Sequence, residues 1–154
     1  MRQLFNLRRA TWPRDREALR AVREAVFVRE QHVPIELEWD GLDDECVHVL
    51  AEDAAGTPIG TGRLLTDGHI GRMAVLRSWR GRGVGTAILA ELTRAARERC
   101  LAEVVLNAQT HALGFYARFG FVADAAEFLD AGIPHRRMRR SLTPGDQGSG
   151  TDEG

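Results

Sequence analysis

The segment from Ile70 to Ala96 constrains this chain more than any other. A strand-like run (70–76) passes through an arginine-rich turn, with glycine at 81, 83 and 85, into a stretch with helical spacing. Glycine lets the backbone turn there without a Cβ clash. The first N–H groups of the helix have no intrahelical partner and point back into the turn, at the positive end of the helix, where they suit a phosphate. Arg80 and Arg82 can add charge, so Arg80, Gly81, Arg82, Gly83, Val84, Gly85 and Thr86 form a candidate phosphate cradle. A Walker loop is excluded: it needs a lysine, and all 21 basic residues are arginine. The dinucleotide spacing G-x-G-x-x-G also fails, because Gly83-Val84-Gly85 is followed by Thr86, Ala87 and Ile88. The alternative is a glycine-rich turn that merely starts a helix.

Around this segment the pattern predicts one domain over 1–143 and a disordered tail over 144–154, where no apolar residue offers an anchor. A strand over 3–10 leads to Trp12-Pro13, which opens a helix bearing Leu19, Val22, Val26 and Phe27 on one stripe. An acidic loop (35–45) precedes a strand at 46–53. Two further strands within 59–76 flank the Asp67-Gly68 turn. The helix at 83–99 is followed by a β-branched strand (102–109), a short helix (110–118), a strand from Phe121 and a last strand over 133–142. This order predicts an α/β fold, with a mixed sheet of about six or seven strands flanked by helices.

Composition narrows the function. A net charge of −1 makes the chain no general attractor of nucleic acid or anionic membrane. The dense basic cluster 135–140 alternates along a strand, which divides its arginines between two faces. No apolar run has membrane-spanning length, and the opening residues lack a secretory signal, so a cytoplasmic protein is expected. Cys46 and Cys100 are far apart and the histidines form no H-x-x-x-H pair, so no metal is expected.

The turn Arg80-Gly81-Arg82-Gly83-Val84-Gly85 resembles the R/Q-x-x-G-x-G/A motif of the GCN5-related N-acetyltransferase (GNAT) superfamily. Phe115-Tyr116-Ala117-Arg118-Phe119-Gly120-Phe121 resembles its F-Y-x-x-x-G-F element. The segments 26–34, 36–51, 107–121 and 130–138 are similar to the ElaA/YjcF-like bacterial branch, and the resemblance spans nearly all of 3–142. It implies a strongly twisted sheet splayed between its fourth and fifth strands, acetyl-CoA as donor, and its pyrophosphate on the N–H groups of residues 81–86. Backbone groups of Met73, Ala74 and Val75 would then meet the pantetheine, one of them serving as an oxyanion donor. Phe115 and either Asn107 or Gln109 would also touch the cofactor; many members carry asparagine where this chain has Gln109. The implied activity is transfer of acetyl to a primary amine, most simply a small molecule, by direct attack in a ternary complex. A CoA- or acyl-CoA-binding sensor or interaction domain without catalysis is the alternative, and dimerisation through the terminal strands is a further expectation.

Amine attack on a thioester needs a neutral amine, a stabilised oxyanion and a protonated leaving thiol. Tyr116, the one tyrosine of the chain, stands where the family places its general acid. Glu30 ends an apolar helical approach and belongs to the branch motif F-V-x-E-Q, which makes it a candidate base. His111, His135 and a water chain are rivals for that task. Gln31 and His32 beside Glu30, Trp39 in the acidic loop, His111 and His135 are candidates for lining the acceptor pocket. For the carboxylates Glu36, Glu38, Asp40, Asp43, Asp44 and Glu45, the choice lies between a pocket mouth that attracts cationic amines and a solvated loop.

Overall fold

Strand β1 (Phe5–Ala10) gives way at Thr11 to α1 (Trp12–Arg23), whose first turn accepts Pro13 because no donor is required there. The Asp15 carboxylate reaches back to accept the Thr11 N–H at 3.0 Å, satisfying a donor at the helix entry. These features come from a computed structural model, which describes residues 4–142; the tail expected at 144–154 lies outside them. The stripe Leu19, Val22 and Val26 is buried as expected. Helix α1 runs straight into a π-helical stretch (Glu24–Glu30), a wider winding common at functional sites.

The acidic loop folds into α2 (Ile35–Glu38) and a 3₁₀ turn (Asp43–Glu45). Strands β2 (Val47–Asp53), β3 (Pro58–Leu64) and β4 (Ile70–Val75) then complete an antiparallel sheet in the order β1-β2-β3-β4. Helix α3 (Val84–Glu98) crosses to β5 (Glu103–Gln109). Beyond it lie α4 (Leu113–Ala117), β6 (Val122–Ala123), β7 (Phe128–Asp130) and β8 (Ile133–Ser141). Strand β8 pairs antiparallel with β5, β6 and β7. The eighth strand relative to the sequence reading is β7, a three-residue piece with every side chain exposed, which leaves no alternation to detect.

The two sheets meet at one parallel bridge, His69 opposite Val105, where the Val105 N–H donates to the Gly68 carbonyl at 3.0 Å. Gly68 is required at this apex: its φ is +99°, and a Cβ there would lie 2.9 Å from the Glu103 carbonyl oxygen. Past the apex, β4 and β5 diverge, and β4 also bulges. Arg72 and Met73 together oppose Gly62, with Arg72 at φ 49°.

Helix α3 packs close on β3 because the strand carries glycine at 60 and 62. Cβ atoms there would come within 2.8 Å of Val84 Cγ1 and of Ile88 Cγ2. That approach, with Ile88, Leu89 and Leu92 fully buried, fixes the N-terminus of α3 against the sheet.

Candidate active site

A cavity of about 890 Å³ opens where β4 and β5 part. Its walls come from β4 (Met73, Ala74, Val75), the turn before α3 and its first residues (Arg80, Gly81, Gly83, Val84, Gly85, Thr86), β5 (Asn107, Gln109), α4 (Phe115, Tyr116) and the π-helical end (Glu30, Gln31). Residues distant in sequence thus share one cleft, and most of the candidate residues are among them.

Gly81 and Gly83 take φ of +78° and +88°, and Cβ atoms at either position would meet open space. The turn is therefore bare backbone. Among the described residues, Gly83 gives α3 no side-chain cap, and the first helix-type bond beyond it is from the Ala87 N–H to the Gly83 carbonyl. The N–H groups of Val84, Gly85 and Thr86 remain free to bind an anion. Of the two arginines, Arg82 stacks on Trp79 at 4.8 Å and lies outside the cavity lining. Arg80 is otherwise engaged: its Nη1 and Nη2 donate to the two Glu30 oxygens at 2.7 Å each, and its Nε to the Val75 carbonyl at 2.9 Å.

Tyr116 lines the cavity edge-on to Phe115 and Phe121, with its hydroxyl 3.9 Å from the Met73 sulfur. Burial pushes the phenol up to about 12, so it is fully protonated at neutral pH. The choice between Asn107 and Gln109 becomes geometric. The Gln109 amide is consumed, donating to Gln31 Oε1 at 3.0 Å and accepting from His111 Nε2 at 2.7 Å. Asn107 lies on the exposed side of β5, faces the cavity, and has no side-chain partner among the described residues.

Glu30 is a poor base as it stands. Its bidentate bond to Arg80 holds its carboxyl below the usual range, against the opposing pull of burial, and Arg77 lies 3.4 Å away. A lone pair in that setting is occupied. His111 spends its Nε2 hydrogen on Gln109. That leaves Nδ1 as its lone-pair nitrogen, while His135 donates from Nδ1 to the Ile133 carbonyl at 2.7 Å and keeps its lone pair on Nε2; both residues line the cavity. His32 and Trp39 do not line the cavity. His32 follows the π-helical stretch at φ 63°, and the Trp39 ring lies under the Arg20 guanidinium at 4.1 Å.

Neither picture of the acidic loop holds for all six carboxylates. Glu38 and Asp43 are buried: Glu38 takes Arg23 Nε at 2.5 Å, while Asp43 takes Arg23 and Arg63 at 2.8 Å each. Asp40, paired with Arg63 and Arg72, lines the cavity with Leu42. Burial works to raise the Asp40 carboxyl, but Arg63 and Arg72 hold it down at about 2. Asp43, Cys46 and His48 converge like metal ligands. However, the Asp43 carboxylate is already shared by two arginines, His48 spends Nε2 on the Asp43 carbonyl, and burial raises the Cys46 thiol to about 11. This cluster is an ion-paired strut rather than a cation site.

Residues 15–142 match the family model of the acetyltransferase (GNAT) domain. The chain belongs to the GNAT family. The sequence is 45% identical over 123 residues to a Bacillus subtilis protein named an uncharacterized N-acetyltransferase, YjcF, covering 77% of this chain and 87% of that one. The crystal structure of an acyl-CoA N-acyltransferase from Pseudomonas aeruginosa superposes with a TM-score of 0.78 at 33% identity, over 88% of this chain and 99% of that one. Escherichia coli ElaA does so with a TM-score of 0.79 at 27% identity, over 88% and 99%. The chain is thus a GNAT acyltransferase of the ElaA/YjcF-like branch, a family whose co-substrate is an acyl-CoA. No helix among the described residues is long and apolar enough to cross a membrane.

Within this GNAT fold the cavity has lining residues the sequence reading left out, among them Arg63, Arg72, Arg118 and Asp130. Arg63 had a signal, because an arginine inside an apolar strand demands a buried partner. The neighbouring carboxylates 36–45 were the available ones. Arg72 had none, since its placement depends on the bulge.

Proposed function

We propose that this protein is an N-acetyltransferase that moves acetyl from acetyl-CoA to the primary amine of a small-molecule acceptor, by direct attack in a ternary complex. One observation carries the reading: a single cleft holds both the bare N-terminus of α3 and a buried phenol that stays protonated. The free N–H groups from Gly81 to Thr86 suit the pyrophosphate. The edge of β4 at Met73, Ala74 and Val75 suits the pantetheine and the thioester oxygen. Asn107 is the β5 side chain free to meet that arm.

Acetyl-CoA brings an activated acyl carbon and a thiol leaving group. A backbone N–H of β4 steadies the charge that develops on the acyl oxygen as the amine nitrogen bonds to the acyl carbon. Tyr116 gives its phenolic proton to the departing sulfur as the C–S bond breaks, and solvent restores it. His135 Nε2 takes the proton that the amine sheds. The products are an N-acetyl amide and free CoA.

The experiment is acetyl-CoA-dependent thiol release over a panel of amines. Acceptor-dependent release above hydrolysis is expected, and His135→Gln should lower kcat/KM for the amine at least about tenfold. CoA binding with no release across small amines and peptides would turn the reading to the sensor.

A further inference from the structure

The motif to which Arg80 belongs casts it as a phosphate ligand, and the motif of Glu30 casts that residue as a base; their mutual geometry suits neither. The Arg80 guanidinium is held in one plane by three bonds, two to the Glu30 oxygens at 2.7 Å and one to the Val75 carbonyl at 2.9 Å. Glu30 in turn has both oxygens on Arg80, with Arg77 at 3.4 Å from one of them. The next residue, Gln31, accepts from Gln109 at the end of β5. The end of the π-helical stretch is therefore tied to both walls of the splay, by Glu30 to the β4 side and by Gln31 to the β5 side.

We propose that Glu30 is a positioning residue that acts through Arg80: the pair is a latch that holds the end of β4 and the glycine turn at the spacing an acyl-CoA needs. The three-point arrangement explains why an arginine is useful here. A planar fork can bind two carboxylate oxygens and still present Nε to a carbonyl, whereas a flexible ammonium could not fix all three. It also assigns the anion charge at the turn to the backbone N–H groups, since most of the Arg80 charge is answered by Glu30. The latch rests on the proposed acyl-CoA reading of the cleft.

The three roles predict different signs. If Arg80 bound phosphate directly, Glu30 would compete for it, and Glu30→Gln would leave CoA binding unchanged or tighten it. If Glu30 were the base, Glu30→Gln would spare CoA binding and abolish the acidic limb of the rate profile. A latch makes both variants weaken CoA, and makes their effects overlap.

The test is calorimetric titration of CoA into the wild type, Glu30→Gln, Arg80→Met and the double variant, with thermal unfolding to confirm that each is folded. Each single change should weaken binding about three- to tenfold, as expected for a bidentate, partly exposed pair. The double variant should bind no worse than the weaker single one, and the acidic limb in Glu30→Gln should stay where it is in the wild type. Unchanged or tighter binding in Glu30→Gln, multiplicative losses in the double variant, or a lost acidic limb would overturn the latch while leaving the acyl-CoA site standing. Failure of the wild type to bind CoA would instead overturn the reading on which the latch rests.

Discussion

At the scale of single residues, the proposed chemistry turns on Tyr116. Its enclosure by Phe115, Phe121 and Met73 removes water from the phenolate more than from the phenol, which is why its pKa lies near 12. Because the chain has one tyrosine, this shift is directly visible in the ultraviolet. Alkaline titration of the native protein should show phenolate absorbance only well above the ordinary value of 10, and the denatured chain should titrate near that value. A native midpoint at the denatured position would remove the enclosed phenol. Replacing it by Phe keeps the packing and deletes the proton, so Tyr116→Phe should lower kcat at least about tenfold with acetyl-CoA affinity nearly unchanged. Steady-state rates beside direct binding measurements check both halves. The sequence marked Tyr116 through its motif, yet Asn107 and Gln109 could not be separated there, because what distinguishes them is the partner each amide finds across the cleft.

Elements decide the shape of that cleft. Strand β3 can lie under α3 only because Gly60 and Gly62 leave room, and a methyl at Gly62 would meet Ile88, Leu92 and Met73 within 3.1 Å. These neighbours belong to a tightly packed core, so Gly62→Ala should cost about 1–3 kcal/mol in urea unfolding. The acidic loop is held by charge. Arg23 is almost fully buried between Glu38 and Asp43, and Arg23→Met would take a directly bonded cation from both buried carboxylates, leaving Asp43 to Arg63 alone and Glu38 to Arg72 at 3.4 Å. A loss of about 3–5 kcal/mol is expected by the same measurement; a change below about 1 kcal/mol would show the network to be dispensable. Helices and long strands were legible because their apolar periods are strong, as along Val84, Ile88, Leu89 and Leu92. The burial of Glu38 and Asp43 was not, since a run of carboxylates reads the same whether water or arginine answers it.

Across the whole molecule, two antiparallel sheets joined at one bridge make a body that opens on one side of Gly68, and the ionisable groups set the pH range in which it holds. Burial depresses His48 below its ordinary 6.5, so the fold favours its neutral form. That stability is present above about 6.5 and is lost as pH falls through the depressed value. Asp40, held at about 2 against an ordinary 3.8, adds stability that is present above 3.8 and disappears as pH falls toward 2. Urea midpoints measured from neutral to acid pH should fall in two stages, and His48→Gln should erase the first stage only. The splay itself was expected from the resemblance; the glycine apex from which it opens, where Val105 bonds the Gly68 carbonyl, became visible only in three dimensions. The proposed reaction depends on bare amides at the start of α3 receiving a pyrophosphate. Calorimetric binding of CoA and of pantetheine, which lacks the phosphates, tests this most directly. CoA should bind at least about tenfold more tightly, a difference of about 1.4 kcal/mol, and equal affinities, or no binding of CoA to folded protein, would contradict it.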